Sequence, residues 1–283
     1  MTPERRPTAE PEPEPSAAMA ELISVAHRLA DAARRAALPH FRQGALAIDD
    51  KSAGAGFDPV TVADREAEQA MRAILADARP DDGILGEEFE AAASRSGLTW
   101  VLDPIDGTRA FISGVPLWGV LIAVNDGERP VLGVIDQPYL GERYVGWREG
   151  ARRSATRFDR AGAAPLRTRR APALEQAILF ATAPELFQEP DERAAFEHAS
   201  RACRLTRYGT DCYGYAMVAG GAADLVIEAG LAPYDIQAPI ALIEAAGGRV
   251  TDWEGGPAQH GGRVCAAGDH TLHAKALHAL NAA

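Results

Sequence analysis

A change of rhythm near the middle of the chain limits its architecture more than any other feature. Residues 100–102, 117–124, 131–135 and 143–147 are short β-rich runs separated by turn residues such as Asn125-Asp126-Gly127. That pattern marks an antiparallel sheet. From Ile178 onward, strand-like runs at 178–181, 204–207, 224–228, 249–252 and 264–267 alternate with helical runs at 191–202, 211–219 and 236–246. Such alternation implies a second, α/β half. No internal repeat relates the two.

Two amphipathic helices precede the first sheet. Ser16 stands at an N-cap position before Leu22, Val25, Ala26, Leu29, Ala33 and Ala36, whose spacing is helical, and Pro39 ends the run. A second helix follows the segment FDPVTVAD at 57–64, with Ala67, Met71, Ile74, Leu75 and Ala78 on one face and Pro80 beyond its end. Ahead of both, residues 2–15 carry five prolines and four glutamates and little apolar surface, so 1–16 is expected to be a disordered acidic tail. The expected division is an N-terminal α+β half over 17–150, a linker or hairpin over 151–175, and a C-terminal α/β half over 176–283. Arg148, Arg152, Arg153, Arg157, Arg160, Arg167, Arg169 and Arg170 crowd the junction. Diluted by Glu149 and Asp159, this run reads as a solvated face.

Composition excludes several function classes. At 283 residues the chain can bury a core without disulfide staples. Cys203, Cys212 and Cys265 are odd in number and lack a C-x-x-C spacing, which fits neither a disulfide framework nor a thiolate zinc site and favours a reducing cytoplasm. His270 and His273 have no carboxylates at metal-binding spacing, so they read as part of a solvated helix. The balance of 29 Lys+Arg against 40 Asp+Glu leaves a net charge of −11, a field that disfavours nucleic acid and anionic membranes as partners. No apolar run approaches the roughly 18 residues of a membrane span, and no apolar stretch follows Arg5-Arg6 to make a secretory signal.

The acids that stand out occupy strand ends and loops: Asp64, Glu87 and Glu88 after Gly86, Asp103 and Asp106 in DPIDGT, and Asp235 after Pro233-Tyr234. Asp103 directly follows the apolar Trp100-Val101-Leu102, where an unpaired charge at a sheet edge is costly unless water or a cation reaches it. Oxygen ligands without His or Cys select Mg²⁺, Mn²⁺ or Ca²⁺ over zinc, and shared carboxylates can hold two ions about 4 Å apart. Such a pair would reverse the local field and favour phosphate. Gly107 permits close backbone approach, Thr108 brings a hydroxyl, and residues 109–112 can open a short helix whose N–H groups face an anion. The i, i+3 spacing of Asp103 and Asp106, with Pro104 between them, departs from the i, i+2 pair of haloacid-dehalogenase-type phosphatases. A phosphoaspartate route thereby loses most of its support. Read alone, DPIDGT is also compatible with a strand-end turn rich in Asp and Gly.

In combination the motifs are more specific. GEE at 86–88, WVLDPIDGT at 100–108 and PYDIQAPIALIEAAGG at 233–248 resemble, in order and approximate spacing, the inositol monophosphatase-like superfamily, over about residues 20–280. DGTRAFISGVPLWGVLIAV at 106–124, GVIDQPYLGERYVG at 133–146, RYGTDCYGYAMVAGGAADLVIEAGLAPYDIQAP at 207–239 and GGRVCAAGD from 261 are most similar to its histidinol-phosphate phosphatase branch.

The resemblance implies an α+β fold, a layered α/β/α/β/α sandwich of the inositol monophosphatase and fructose-1,6-bisphosphatase type, with the active site between the halves. It implies Mg²⁺-dependent hydrolysis of a small phosphomonoester without a covalent intermediate, two or three ions per site, Mn²⁺ as a substitute, and a cytoplasmic homodimer. Matched by position, Glu87, Asp103 and the Ile105 carbonyl resemble the ligands of a first metal. Asp106 and Asp235 join Asp103 around a second, and Glu87 helps hold a third. Asp64 with Thr108 resembles the pair that orients the attacking water, with Glu87 also counted among the catalytic residues. Gly107 and Thr108 fall at the phosphate, and Asp211 and Glu228 at the non-phosphate part of the substrate. Lys51 resembles a basic residue of a mobile family loop, although two extra residues separate it from Asp64. The expected substrate is L-histidinol phosphate, an intermediate of histidine biosynthesis. Alternatives are inositol-1-phosphate, another small phosphomonoester such as a nucleoside 3′,5′-bisphosphate, or, from another class, a non-catalytic phosphate sensor. The last is expected to have lost metal ligands, and every carboxylate is present.

Overall fold

A computed structural model describes residues 13–43, 48–50 and 59–282; residues 1–12 of the acidic tail and Lys51 lie outside the described residues. The Ser16 hydroxyl accepts from the Met19 N–H and starts α1 (Ala17–Ala37). Strands β1 (Ile48–Asp50) and β2 (Pro59–Thr61), which no periodicity announced, form an antiparallel pair. Thr61 then caps α2 (Val62–Ala78) reciprocally: its hydroxyl accepts from the Ala63 N–H, and the Asp64 carboxylate accepts from the Thr61 N–H. That box fixes the direction in which the chain enters the helix.

The first sheet runs in chain order: β3 (Gly83–Gly86), β4 (Thr99–Asp106), then, after the short α3 (Thr108–Ile112), β5 (Gly119–Asn125), β6 (Pro130–Gln137), β7 (Glu142–Glu149), β8 (Arg152–Asp159) and β9 (Gly162–Pro165). From β4 to β9 every neighbour is antiparallel, whereas β3 runs parallel to β4. Strands β8 and β9 lie in the segment expected as a linker or hairpin and extend this sheet by two strands. Side chains alternate between its faces as the pleat requires. Trp100, Leu102, Val120, Ile122 and Val124 pack with α1 and α2, while Val101, Leu121 and Ala123 turn to the opposite layer.

The second half contributes β10 (Ile178–Ala181), α4 (Pro190–Ala202), β11 (Leu205–Tyr208), α5 (Asp211–Ala219), β12 (Leu225–Leu231), α6 (Pro233–Ala246), β13 (Arg249–Thr251), β14 (Gly262–Ala267) and α7 (His270–Leu280). Its sheet has the order β11-β10-β12-β14-β13. Helices α4 and α7 cover its outer face with Phe196, Leu272 and Ala276, and α5 and α6 fill the space between the two sheets. The result is the expected α/β/α/β/α sandwich. Helix α6 lies directly on the first sheet because two strand positions have no side chain: a Cβ on Gly133 would stand 2.3 Å from the Ala238 carbonyl oxygen, and one on Gly146 would stand 2.4 Å from the Leu242 Cα. This contact sets where the N-terminus of α6, with Asp235, meets the end of β4.

Candidate active site

Residues three apart in a regular strand face opposite sides of a sheet. Strand β4 escapes that rule because its register with β5 breaks between Asp103 and Asp106, around Pro104, which cannot donate to the ladder. The break brings the two carboxylates together, and the first turn of α6 adds a third. Asp103, Asp106 and Asp235 offer oxygens that all lie within 4.8 Å of one another. Each is held by a backbone N–H: Ile105 donates to Asp103 at 3.0 Å, Cys212 to Asp106 at 2.6 Å, and Ala232 to Asp235 at 2.7 Å. The Cys212 N–H belongs to the first turn of α5, so Asp106 also meets the positive end of that helix. In α6, Pro239 has no N–H to give the Asp235 carbonyl four residues earlier, which leaves that carbonyl outside the helical ladder.

The electrostatics are those of crowded like charges. Burial, and then Glu87, Asp106, Asp235 and Asp64 in that order, push the Asp103 carboxyl well above its ordinary range. Burial, Asp211 and Asp235 do the same to Asp106, against the pull of its hydrogen bonds from Cys212. Glu87 follows β3, and its N–H donates to the Leu102 carbonyl at 3.2 Å, which sets it beside Asp103. The donor set is all oxygen and crowded, with Asp103 buried and the others half-buried, and fits hard divalent cations.

The structure also brings together Asp64 and Thr108. One oxygen of Asp64 accepts from the Thr61 N–H at 2.8 Å and from the Thr61 hydroxyl at 2.6 Å; the other lies 3.5 Å from the Thr108 hydroxyl. Thr108 is 3.0 Å from the Ile105 carbonyl, and its single proton serves one acceptor at a time. Gly107, with φ 81°, makes the turn between β4 and α3.

Glu68 was missed by sequence reasoning. It is fully buried on the same stripe of α2 as Asp64, Met71 and Leu75, accepts from Arg72 at 2.7 Å, and accepts from the Glu88 N–H at 2.8 Å. It thus holds the backbone of the Glu87-Glu88 turn. A Cβ on Gly86 would lie 2.0 Å from a Glu68 oxygen, so the glycine of GEE is there to admit this carboxylate. An acid at i+4 from Asp64 on an apolar stripe was the available signal.

An open cleft of about 470 Å³ extends from Asp106, Thr108 and Asp235 past Asp211 and Glu228. Asp211 has φ 43°, a conformation Asp tolerates, and is the first residue of α5, whose N-cap is Thr210. Burial pushes its carboxyl up to about 6 against the pull of Arg109. Burial pushes Glu228 up to about 7, opposed by its hydrogen bonds from Thr182 and Tyr215. Those bonds, from the Thr182 N–H at 2.9 Å, the Thr182 hydroxyl at 2.6 Å and the Tyr215 hydroxyl at 3.1 Å, already engage both Glu228 oxygens. Thr182 and Tyr215 were also invisible in the sequence.

Comparison with known proteins gives this geometry a family. The description of the inositol monophosphatase family matches residues 18–283. The chain belongs to the inositol monophosphatase family. The bifunctional phosphatase IMPL2 of Arabidopsis thaliana chloroplasts is 40% identical over 268 residues, 91% of this chain and 74% of that one. A histidinol-phosphatase of Chlorobaculum parvum is 35% identical over 233 residues, 82% of this chain and 86% of that one. The solved structure of an inositol monophosphatase from Zymomonas mobilis superposes with a TM-score of 0.80 at 44% identity, over 94% of this chain and 99% of that one. The family is one of metal-dependent phosphatases, and Asp103, Asp106 and Asp235 form an acidic cluster of a kind that could hold a metal ion. No helix among the described residues is long and apolar enough to cross a membrane.

Proposed function

We propose that this phosphatase hydrolyses L-histidinol phosphate to L-histidinol and inorganic phosphate, with Mg²⁺ as its ion and Mn²⁺ as a substitute, as a cytoplasmic homodimer. The observation that carries the substrate assignment is the second acidic surface of the cleft, Asp211 and Glu228, beyond the carboxylates that ions require. Histidinol phosphate presents a protonated amine and an imidazole to that surface, whereas an inositol ring presents neutral hydroxyls.

Asp103, Asp106, Asp235, Glu87 and the Ile105 carbonyl are the groups assigned to the ions. Ions held there would supply Lewis-acid chemistry, lowering the pKa of water and offsetting the charge of the phosphoryl and leaving oxygens. The chain's own residues supply orientation. Thr61 clamps one Asp64 oxygen, so the other stays aimed at Thr108, and the pair can hold a water by its proton and its lone pair. Gly107 and the α3 N-terminus leave backbone N–H groups for the phosphoryl oxygens, and Asp211 attracts the ammonium end.

A second reading, inositol-1-phosphate, draws on the 44% identity to the Zymomonas mobilis enzyme. Phosphate release, with and without Mg²⁺, from histidinol phosphate, inositol-1-phosphate and a nucleoside 3′,5′-bisphosphate separates the two. Histidinol phosphate should give the highest kcat/KM by at least about tenfold, a difference of about 1.4 kcal/mol. A preference for inositol phosphate would overturn the assignment, and Mg²⁺-independent release would overturn the choice of ion.

A further inference from the structure

The arginine-rich segment is not spent evenly. Arg152 pairs with Glu149, Arg157 with Asp159 and Arg169 with Asp224. Arg153 forms no ion pair among the described residues and stands directly across the β7–β8 ladder from Arg148. Like charges directly opposite in an antiparallel pair are destabilising. Two more elements add to the same charge: Arg249 on β13 and His270 at the start of α7 line a pocket of about 230 Å³ with Arg148, Arg153, Glu244 and Gly248. Arg129, just before β6, lies with Glu244 and Arg249 along the adjoining groove.

Within the pocket one carboxylate, Glu244, answers three guanidiniums, and Arg129 shares the adjoining groove with Glu128. Arg148 reaches Glu244 at 3.4 Å, and Arg129 and Arg249, like Arg153, form no ion pair among the described residues. Burial lifts the Glu244 carboxyl, and Arg148, Arg129, Arg153 and Arg249 pull against the rise, so all four act on the same point. The lining of the pocket carries an excess of two positive charges on a protein of net charge −11. The pocket is walled by both sheets and α6, a concave setting in which several donors can converge on one small anion, whereas a macromolecular polyanion needs an extended basic face. Glu244 lies nine positions after Asp235 in α6, about 14 Å along the helix axis, so this pocket is apart from the catalytic cleft.

We propose that the pocket formed by Arg148, Arg153, Arg249 and His270 over Glu244 is a second anion site, built for a compact multivalent anion of the phosphate class. Guanidinium forks from β7, β8 and β13 supply convergent donors, and Glu244 holds Arg148 in place while the pocket is empty.

Pyrophosphate is the probe, titrated calorimetrically into the full chain after divalent metal is stripped on chelating resin, so that the acidic cleft repels it. Chloride at matched ionic strength is the control. Saturable one-to-one binding is expected. Replacing Arg153 and Arg249, both exposed, by Gln should weaken it at least about tenfold, the scale of one lost charged hydrogen bond. Glu244→Gln should tighten it, because a competing anion is gone. Heat that chloride reproduces, or wild-type affinity in the Arg153→Gln/Arg249→Gln chain, would each overturn the proposal. Because no turnover is measured, the result is independent of which phosphomonoester the cleft hydrolyses.

Discussion

Asp136 and Asp103 flank the same strand one residue apart, pairing with Val120 and Leu121 of β5, and both are buried. Cross-strand partners share a face, so Asp136 turns to the α1 side and Asp103 to the inner layer. There the likeness ends. Asp136 is neutralised by the protein itself, through Arg34 at 2.7 and 3.2 Å and Arg143 at 2.7 Å. Asp103 is surrounded by Glu87, Asp106, Asp235 and Asp64. A buried charge whose neighbours are all of its own sign is a poor structural element and a good ligand. The contrast separates a carboxylate that holds the fold together from one the fold must tolerate.

The largest effect should come from exchanging these two for Asn. Asp103→Asn should lower turnover by about 10³-fold or more while leaving the metal-free protein as stable as before or more so, because a repelling charge has been removed. Asp136→Asn should do the reverse, costing about 3 kcal/mol of stability by stranding two guanidiniums, while the folded fraction keeps its kcat. Chemical denaturation and phosphate release on the same samples decide it. The comparison breaks if Asp103→Asn melts early or Asp136→Asn folds well but fails to turn over.

The same asymmetry should appear as a pH dependence. Asp103, Asp106, Asp211 and Glu228 all titrate higher in the fold than in the unfolded chain. Each therefore stabilises the metal-free fold while protonated, and that stabilisation is lost as pH rises through the folded values, about 6 for Asp211 and about 7 for Glu228. Metal-free Tm should fall between about pH 5 and pH 8, and Asp103→Asn should flatten the slope. Saturating Mg²⁺ should lessen the fall by neutralising Asp103 and Asp106, leaving the part that Asp211 and Glu228 contribute. A metal-free Tm that rises over this interval would contradict the reading of the cluster.

Two smaller effects sharpen the picture around the cluster. Thr108→Val leaves every carboxylate in place but removes the hydroxyl that faces Asp64. We expect kcat to fall about 10²-fold with little change in KM or in the Mg²⁺ concentration for half activity, as for a misplaced nucleophile. A change in KM alone would make Thr108 a substrate contact. Glu68→Gln disturbs the Glu87-Glu88 turn from behind, since an amide cannot accept from both Arg72 and the Glu88 N–H with equal strength. Its mark should be an increase of about tenfold in the half-saturating Mg²⁺ concentration. An unchanged Mg²⁺ requirement would reduce Glu68 to a structural residue.

What the sequence showed and what it hid follow from the same physics. Acids at the end of an apolar strand, and at the start of an apolar helix, contradict their surroundings, so Asp103, Asp106 and Asp235 stood out. Glu68 did not, because its one signal, a place four residues after Asp64 on the apolar stripe, does not give its depth when other acids of α2 are solvated. Strand β8 was hidden by its arginines, and β9 by its four-residue length and its exposure at the sheet edge, where period-two alternation fades. Strand β3 is four residues with glycine at both ends. The partners of Glu228, Thr182 at the end of β10 and Tyr215 on α5, come from distant stretches, and no local spacing could relate them. The pocket around Glu244 draws on both sheets and is legible only once they are packed.

The finest contrast lies between the two carboxylates of the substrate end. Glu228 already accepts from three donors, and Gln there would turn an amide N–H₂ toward groups that themselves donate, so a loss of activity would not distinguish structure from recognition. Asp211 allows a cleaner test. Asn shares its tolerance of φ 43°, Thr210 remains the N-cap of α5, and only the charge changes. If the carboxylate meets an ammonium, Asp211→Asn should weaken histidinol phosphate binding by about 1 to 3 kcal/mol, with stability nearly unchanged and hydrolysis of a neutral-alcohol phosphate spared. Raising ionic strength should narrow the gap between wild type and variant, since a partly exposed charge pair is screened. Equal losses on both substrates would instead place Asp211 among the residues that shape Asp106, whose hydrogen-bond donor, Cys212, is its neighbour in the chain.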